Sequence, residues 1–135
     1  MQTDHSGDQI NQRVDIQQIG TQFINFYYTN LKEDFQKFIS CGVIKSHTRI
    51  RYCNVEYKEE LLLQLFTQMN REFTFTMDEY NIMDSGGRRA DIVVIGKLTV
   101  STNPGKIFRF VQYFTIANNK DKNWFIHNSL LNILE

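Results

Sequence analysis

The sequence is short of the residues that staple or bend unusual folds. Its 135 residues include one proline and two cysteines. Cys41 and Cys53 are too few for a disulfide scaffold, and with His5 and His47 they make no zinc-ligand spacing. A reducing compartment, cytosol or nucleus, is therefore expected. Neither sign of charge is in excess, with 15 Lys and Arg against 15 Asp and Glu. That balance disfavours a protein that grips nucleic acid by neutralising phosphates, although a local basic patch is compatible with zero net charge. No apolar run approaches the roughly 20 residues of a membrane span, and MQTDHSGDQINQR at the start lacks the apolar stretch of a signal peptide. There is no glycosylation sequon, internal repeat or linker. The chain reads as one domain, 14–135, preceded by a flexible polar tail, 1–13.

Aromatic residues are what the sequence has in quantity: eleven Phe, six Tyr and one Trp. Such side chains pack well across the strands of a sheet. From Val14 the apolar positions Ile16, Ile19, Phe23, Phe26, Tyr27 and Leu31 recur at helical spacing, with Gly20 inside the stripe. A second short helix is expected over Lys32 to Ile39, ended by Gly42, with Phe35 and Phe38 inward. His47 to Cys53 reads as a strand. Lys58 to Met69 is the clearest helix, with Leu61, Leu62, Leu65, Phe66 and Met69 inward. Strands then follow one another: Phe73 to Met83, Ala90 to Val100, Ile107 to Ala117 and Trp124 to Leu134. The turns between them hold Gly86-Gly87, Thr102 to Gly105 and Asn118 to Asn123. Helices first and an antiparallel meander last make an α+β fold with the helices on one face.

The long strands carry apolar residues on both faces. Phe108, Phe110, Phe114 and Ile116 oppose Ile107, Val111 and Tyr113. Ile92, Val94, Leu98 and Val100 oppose Val93 and Ile95. Trp124, Ile126, Leu130 and Leu134 oppose Phe125, Leu131 and Ile133, unless a bulge shifts the register. Three helices cover one face only. Either the sheet curls enough to cover itself, or the second face meets a partner. Alternation places Val93, Ile95, Val111, Tyr113, Phe125 and Leu131 on that face as the expected dimer interface.

Several of these stretches resemble one family. Gln18-Ile19-Gly20, Phe23-Ile24 and the paired Tyr27-Tyr28 are similar to the opening helix of the nuclear transport factor 2 (NTF2-like) family. Ile95-Gly96-Lys97-Leu98, Phe110-Val111-Gln112-Tyr113-Phe114 and Trp124-Phe125-Ile126-His127-Asn128 resemble its later strands, and the match runs from about Asp15 to Leu134. The resemblance implies a cone, a strongly bent antiparallel sheet packed on three helices, that dimerises through its open sheet face. It further implies nucleocytoplasmic transport at the nuclear pore, in nucleus and cytoplasm, with Phe-Gly nucleoporins among the partners.

Family members include a homodimeric importer of Ran-GDP, a small subunit that pairs with a large mRNA-export receptor, and domains of stress-granule scaffolds. The acidic positions that the importer uses correspond here to Cys53, Ser101, Thr102 and Asn103, all uncharged, which disfavours Ran-GDP. The chain stops with the last expected strand, which disfavours the scaffold class. The export subunit remains the leading expectation, with the Ran importer as the alternative. In the export subunit's final strand an arginine pairs with an acid on the large chain. That acid–arginine pattern is missing from Asn128-Ser129-Leu130-Leu131-Asn132, so pairing here would rest on apolar contact. The family's fold also hosts isomerases and dehydratases. Asp91 and His127, with Tyr27 or Tyr52 as donors, are the candidate catalytic groups on that reading, but filling of the cone by Phe23, Phe75 and Phe110 argues against it. No catalytic, metal or cofactor site is expected. Arg88-Arg89 reads as a solvated hairpin tip.

Overall fold

A computed structural model describes residues 15–118 and 123–134. The expected tail, the helix start at Val14, His5 and most of the Asn118–Asn123 turn lie outside the described residues. The first helix, α1 (Ile16–Glu33), starts where Asp15 caps it, the carboxylate accepting a bond from the Gln18 backbone N–H at 3.1 Å. It buries Ile16, Phe23, Ile24, Tyr27 and Leu31, each worth roughly 1.5–3 kcal/mol when fully covered. Lys32 and Glu33 belong to this helix and not to the next. Asp34 separates the two: its N–H caps α1 on Asn30 O, and its side chain accepts from the Lys37 N–H to start α2 (Phe35–Ser40). Phe38 of α2 is fully buried.

The third helix, α3 (Glu59–Glu72), buries Leu62, Leu65, Phe66 and Met69. Leu61, expected inward, is 52% exposed. Although four residues before Leu65, it lies to one side of the arc that Leu62, Leu65, Phe66 and Met69 define, on the helix flank. Asn70 fastens α3 to α1, its side-chain N–H donating to Leu31 O at 2.7 Å.

The six strands are β1 (Ile44–Tyr52), β2 (Val55–Lys58), β3 (Phe73–Asp84), β4 (Arg89–Val100), β5 (Asn103–Asn118) and β6 (Trp124–Leu134), in the spatial order β2-β1-β6-β5-β4-β3. The sheet is antiparallel except at β1–β6, which run parallel. Parallel pairing needs a crossover, and the helices and strands between the two supply it. The short β2 escaped the sequence reading because its hairpin lacks glycine. Cys53 and Asn54 both take positive φ, 52° and 65°, a conformation that Asn tolerates and that sequence patterns assign to Gly.

Two glycines are fixed by close approach. A Cβ on Gly20 would come within 2.6 Å of Ile82 Cδ1, so α1 lies directly on β3 there. A Cβ on Gly96 would meet Thr76 O at 2.1 Å and the Phe110 ring at 2.7 Å. The register shifts in β3 between Met77 and Glu79, leaving Asp78 as an extra residue. It shifts again where Thr115 pairs with Asn128 but Ile116 pairs with Ile126, leaving His127 extra in β6. Such bulges bend strands and re-aim side chains.

Candidate interaction surface

The helix-facing side of the sheet is closed. Tyr27 is fully buried, its ring 4.7 Å from Phe114 and 5.3 Å from Phe38. Phe75 lies edge-on to Phe110 at 5.1 Å. A polar network runs through these rings. Tyr28 Oη donates to Gln112 Oε1 at 2.7 Å, while Gln112 Nε2 donates to Tyr27 Oη at 3.2 Å and to Ser129 Oγ at 3.1 Å. Ser129 in turn donates to the Tyr113 carbonyl. The paired tyrosines and the glutamine of the Phe-x-Gln-x-Phe strand are therefore one network, joined across 84 positions of sequence. Burial raises the pKa of both tyrosines well above the usual phenol value, so both hydroxyls stay protonated.

Among the described residues, the other side of the sheet carries no helix. Val93, Ile95, Val111 and Tyr113 stand there on neighbouring strands, Val93 beside Tyr113 and Ile95 beside Val111. Tyr113 is 49% exposed. Phe125 is on this face as well, but its ring is covered by His47 at 5.2 Å and lies 5.9 Å from Lys45 Nζ. Leu131 is not on this face. It is fully buried in the core, because the extra residue at His127 reverses the alternation of β6 beyond it. Leu130 takes the open-face position, paired across to Tyr113.

An apolar centre is thus ringed by polar side chains, which is the anatomy of a protein interface. Arg49, Arg51, Glu56, Tyr113, Asn128, Ser129 and Leu130 line a 330 Å³ concavity at one side of it. At the other side a 180 Å³ hollow lies between Glu79, Tyr80, Asn81, Val93 and Ile95. A third concavity, 310 Å³ and mainly apolar, lies away from this face between Phe23, Phe26, Cys41, Val43 and Trp124.

Among the described residues no hydrogen bond or ion pair joins the candidate catalytic groups to one another. Asp91 accepts bonds from Ser85 Oγ at 2.7 Å and Thr115 Oγ1 at 2.9 Å, close to the Gly86-Gly87 turn. The His127 ring is 5.8 Å from that of His47. Its pKa is held below the usual imidazole value by burial and by the positive charges of Arg89, His47 and Arg49. Tyr27 lies on the opposite side of the sheet, inside the core. Tyr52 packs against the core next to Phe73 at 6.1 Å. Cys53 is exposed in the β1–β2 turn, and Ser101, Thr102 and Asn103 are exposed at the β4–β5 turn.

A curved six-stranded sheet with three helices on one face is the NTF2-like fold. The sequence pattern of the nuclear transport factor 2 (NTF2) domain matches residues 19–133, and the chain belongs to that family. Among solved structures it is similar to nuclear transport factor 2 from Cryptosporidium parvum, with 18% identity and a TM-score of 0.74 over 87% of this chain and 94% of that one. It is similar also to the yeast UBP3-associated protein BRE5, with 17% identity and a TM-score of 0.74 over 90% and 98% of the two chains. A putative ketosteroid isomerase from Shewanella frigidimarina aligns with 12% identity and a TM-score of 0.65 over 81% and 90%. The fold therefore serves enzymes and non-enzymes alike. Among curated proteins none matches the sequence.

Proposed function

We propose that this chain is a non-enzymatic docking module whose open sheet face pairs with a second domain, and that it works in nucleocytoplasmic transport as the small partner of a large mRNA-export receptor. The observation that carries the first part is the contrast across one sheet. Aromatic rings and a satisfied Gln112 fill the side where a substrate would bind. Val93, Ile95, Val111, Tyr113 and Leu130 stay uncovered by helix on the other. Buried apolar surface contributes roughly 25 cal/mol per Å², so covering this centre favours association.

The second part draws support from the family and from the resemblance to its export subunit, and under this proposal the protein works in nucleus and cytoplasm, at the pore. Cys53, Ser101, Thr102 and Asn103 offer no carboxylate, which leaves Ran-GDP import as the weaker reading. Phe-Gly nucleoporins remain candidate partners of the transport role. The test is recovery of partners from cells by the tagged wild-type chain and by a Val111→Asp/Tyr113→Asp variant. The wild type is expected to retain a larger chain ending in a related domain, and the variant to lose it while unfolding at the same urea concentration. Recovery of Ran with a homodimeric bait overturns the export reading. Identical recoveries by both proteins overturn the open face as the docking site.

A further inference from the structure

The polar rim of the open face is not uniform. Arg49 and Arg51, two residues apart on β1, point to the same side of the sheet and line the concavity where β1 meets β6. Arg49 lies 3.7 Å from Glu56, with the two side chains 56% and 41% exposed. A contact that long and that wet contributes little and is readily exchanged for a better one. Arg51 has no ion partner among the described residues. Further along the same side stand His47, His127 and Arg89, whose charge is felt at His127. Toward β3 the balance differs: Lys97 is answered by Asp78 at 3.8 Å, and Glu79 lies beside them. On the β1 side of the open face Arg49, Arg51 and Arg89 therefore stand against Glu56 and Asp91, a small positive excess, whereas toward β3 Lys97 and Arg109 are matched by Asp78 and Glu79.

We propose that the β1–β6 concavity is a carboxylate-receiving site, and that the partner of the open face presents an acidic segment with apolar residues interleaved. The proposal rests on the open face being a docking surface and names the chemistry of what docks. Two guanidinium groups side by side can each offer paired N–H donors to a carboxylate. Leu130 and Tyr113, adjacent across β6 and β5, supply an apolar surface between them and the centre of the face. Asn128 adds an amide to the lining. Nucleic acid suits the site less well. Glu56 opposes any anion there, but single carboxylates interleaved with apolar residues can be seated on Arg51 and displace Glu56 from Arg49 while their neighbours cover Leu130 and Tyr113, which a phosphate backbone cannot do.

The test uses the full chain and three fluorescent probes: a short peptide alternating glutamate and leucine, its glutamine counterpart, and a short oligouridylate. Anisotropy at low salt is expected to show the glutamate peptide binding about tenfold more tightly than the glutamine one, as two solvent-exposed charge pairs would give. Higher salt and the Arg49→Gln/Arg51→Gln variant should each erase that preference, while Lys97→Gln/Arg109→Gln, at the far end of the face, keeps it. Equal binding of the two peptides overturns the site. So does a preference that survives in the Arg49/Arg51 variant, or oligouridylate binding more tightly than the glutamate peptide. A glutamate preference of the expected kind, together with unchanged partner recovery by Val111→Asp/Tyr113→Asp, would uphold the carboxylate site and overturn the docking reading instead.

Discussion

On the helix side of β5, Phe110, Gln112 and Phe114 are covered almost completely, while between them on the same strand Tyr113 is half exposed and Val111 partly so. The two faces also treat polar groups differently. Inside, Gln112 has both ends of its amide bonded, because an unpaired amide in that setting would cost several kcal/mol. Outside, Arg51 stands without an ion partner among the described residues, at little cost in water. The lesson is that alternation with apolar residues on both faces does not mean two equal cores. One face is closed by rings and hydrogen bonds, and the other is left available.

The comparison is broken most severely by removing a ring from each face. Phe114→Ala should cost about 3–5 kcal/mol in urea unfolding, the loss expected for a large buried aromatic. Tyr113→Ala on the same strand should cost less than about 1 kcal/mol. Equal losses would mean that the open face is a second core. A smaller effect is expected from the polar network. Gln112→Leu removes the partner of Tyr28 and of Ser129 in one step and should cost about 2–3 kcal/mol, whereas Asn132→Leu on the open face should stay within about 0.5 kcal/mol.

The smallest effect is a pH slope. The His127 imidazole has its pKa lowered in the fold, so below the ordinary value of about 6.5 the unfolded chain takes up the proton more readily than the native one. Stability should therefore be full above that pH and decline slightly as pH falls through it. His127→Gln should flatten the decline in urea midpoints measured on either side. A steeper slope in the variant would mean that His127 gains a partner on protonation.

Much of this architecture was legible in the chain. Spacing of apolar residues located three helices and all the long strands, and alternation placed Val93, Ile95, Val111 and Tyr113 on the face that carries no helix. The exception, Leu131, follows from a single extra residue at His127, and no local pattern distinguishes a bulge from continued alternation. The Cys53-Asn54 hairpin was hidden because its residues are not those that usually take positive φ. The Gln112 network was hidden for a different reason. Its partners are brought together only by the packing of α1 on the sheet, and a glutamine between aromatics says nothing of which hydroxyls it will meet. Arg49 and Arg51 lie on a strand whose open face alternation alone does not fix.

Asp78, the extra residue in β3, has a consequence for the protein in a crowded solution. β3 is the last strand of the sheet, and its opening run, Phe73-Thr74-Phe75-Thr76-Met77, is uncharged and rich in strand formers. A row of unpaired backbone groups on such a segment is a template on which another chain can add, the first step toward aggregates and fibrils. The bulge interrupts that template after five residues and sets a carboxylate there, with Glu79 next to it. A copy attempting to extend the sheet in register would bring acid against acid, so growth along this edge is discouraged.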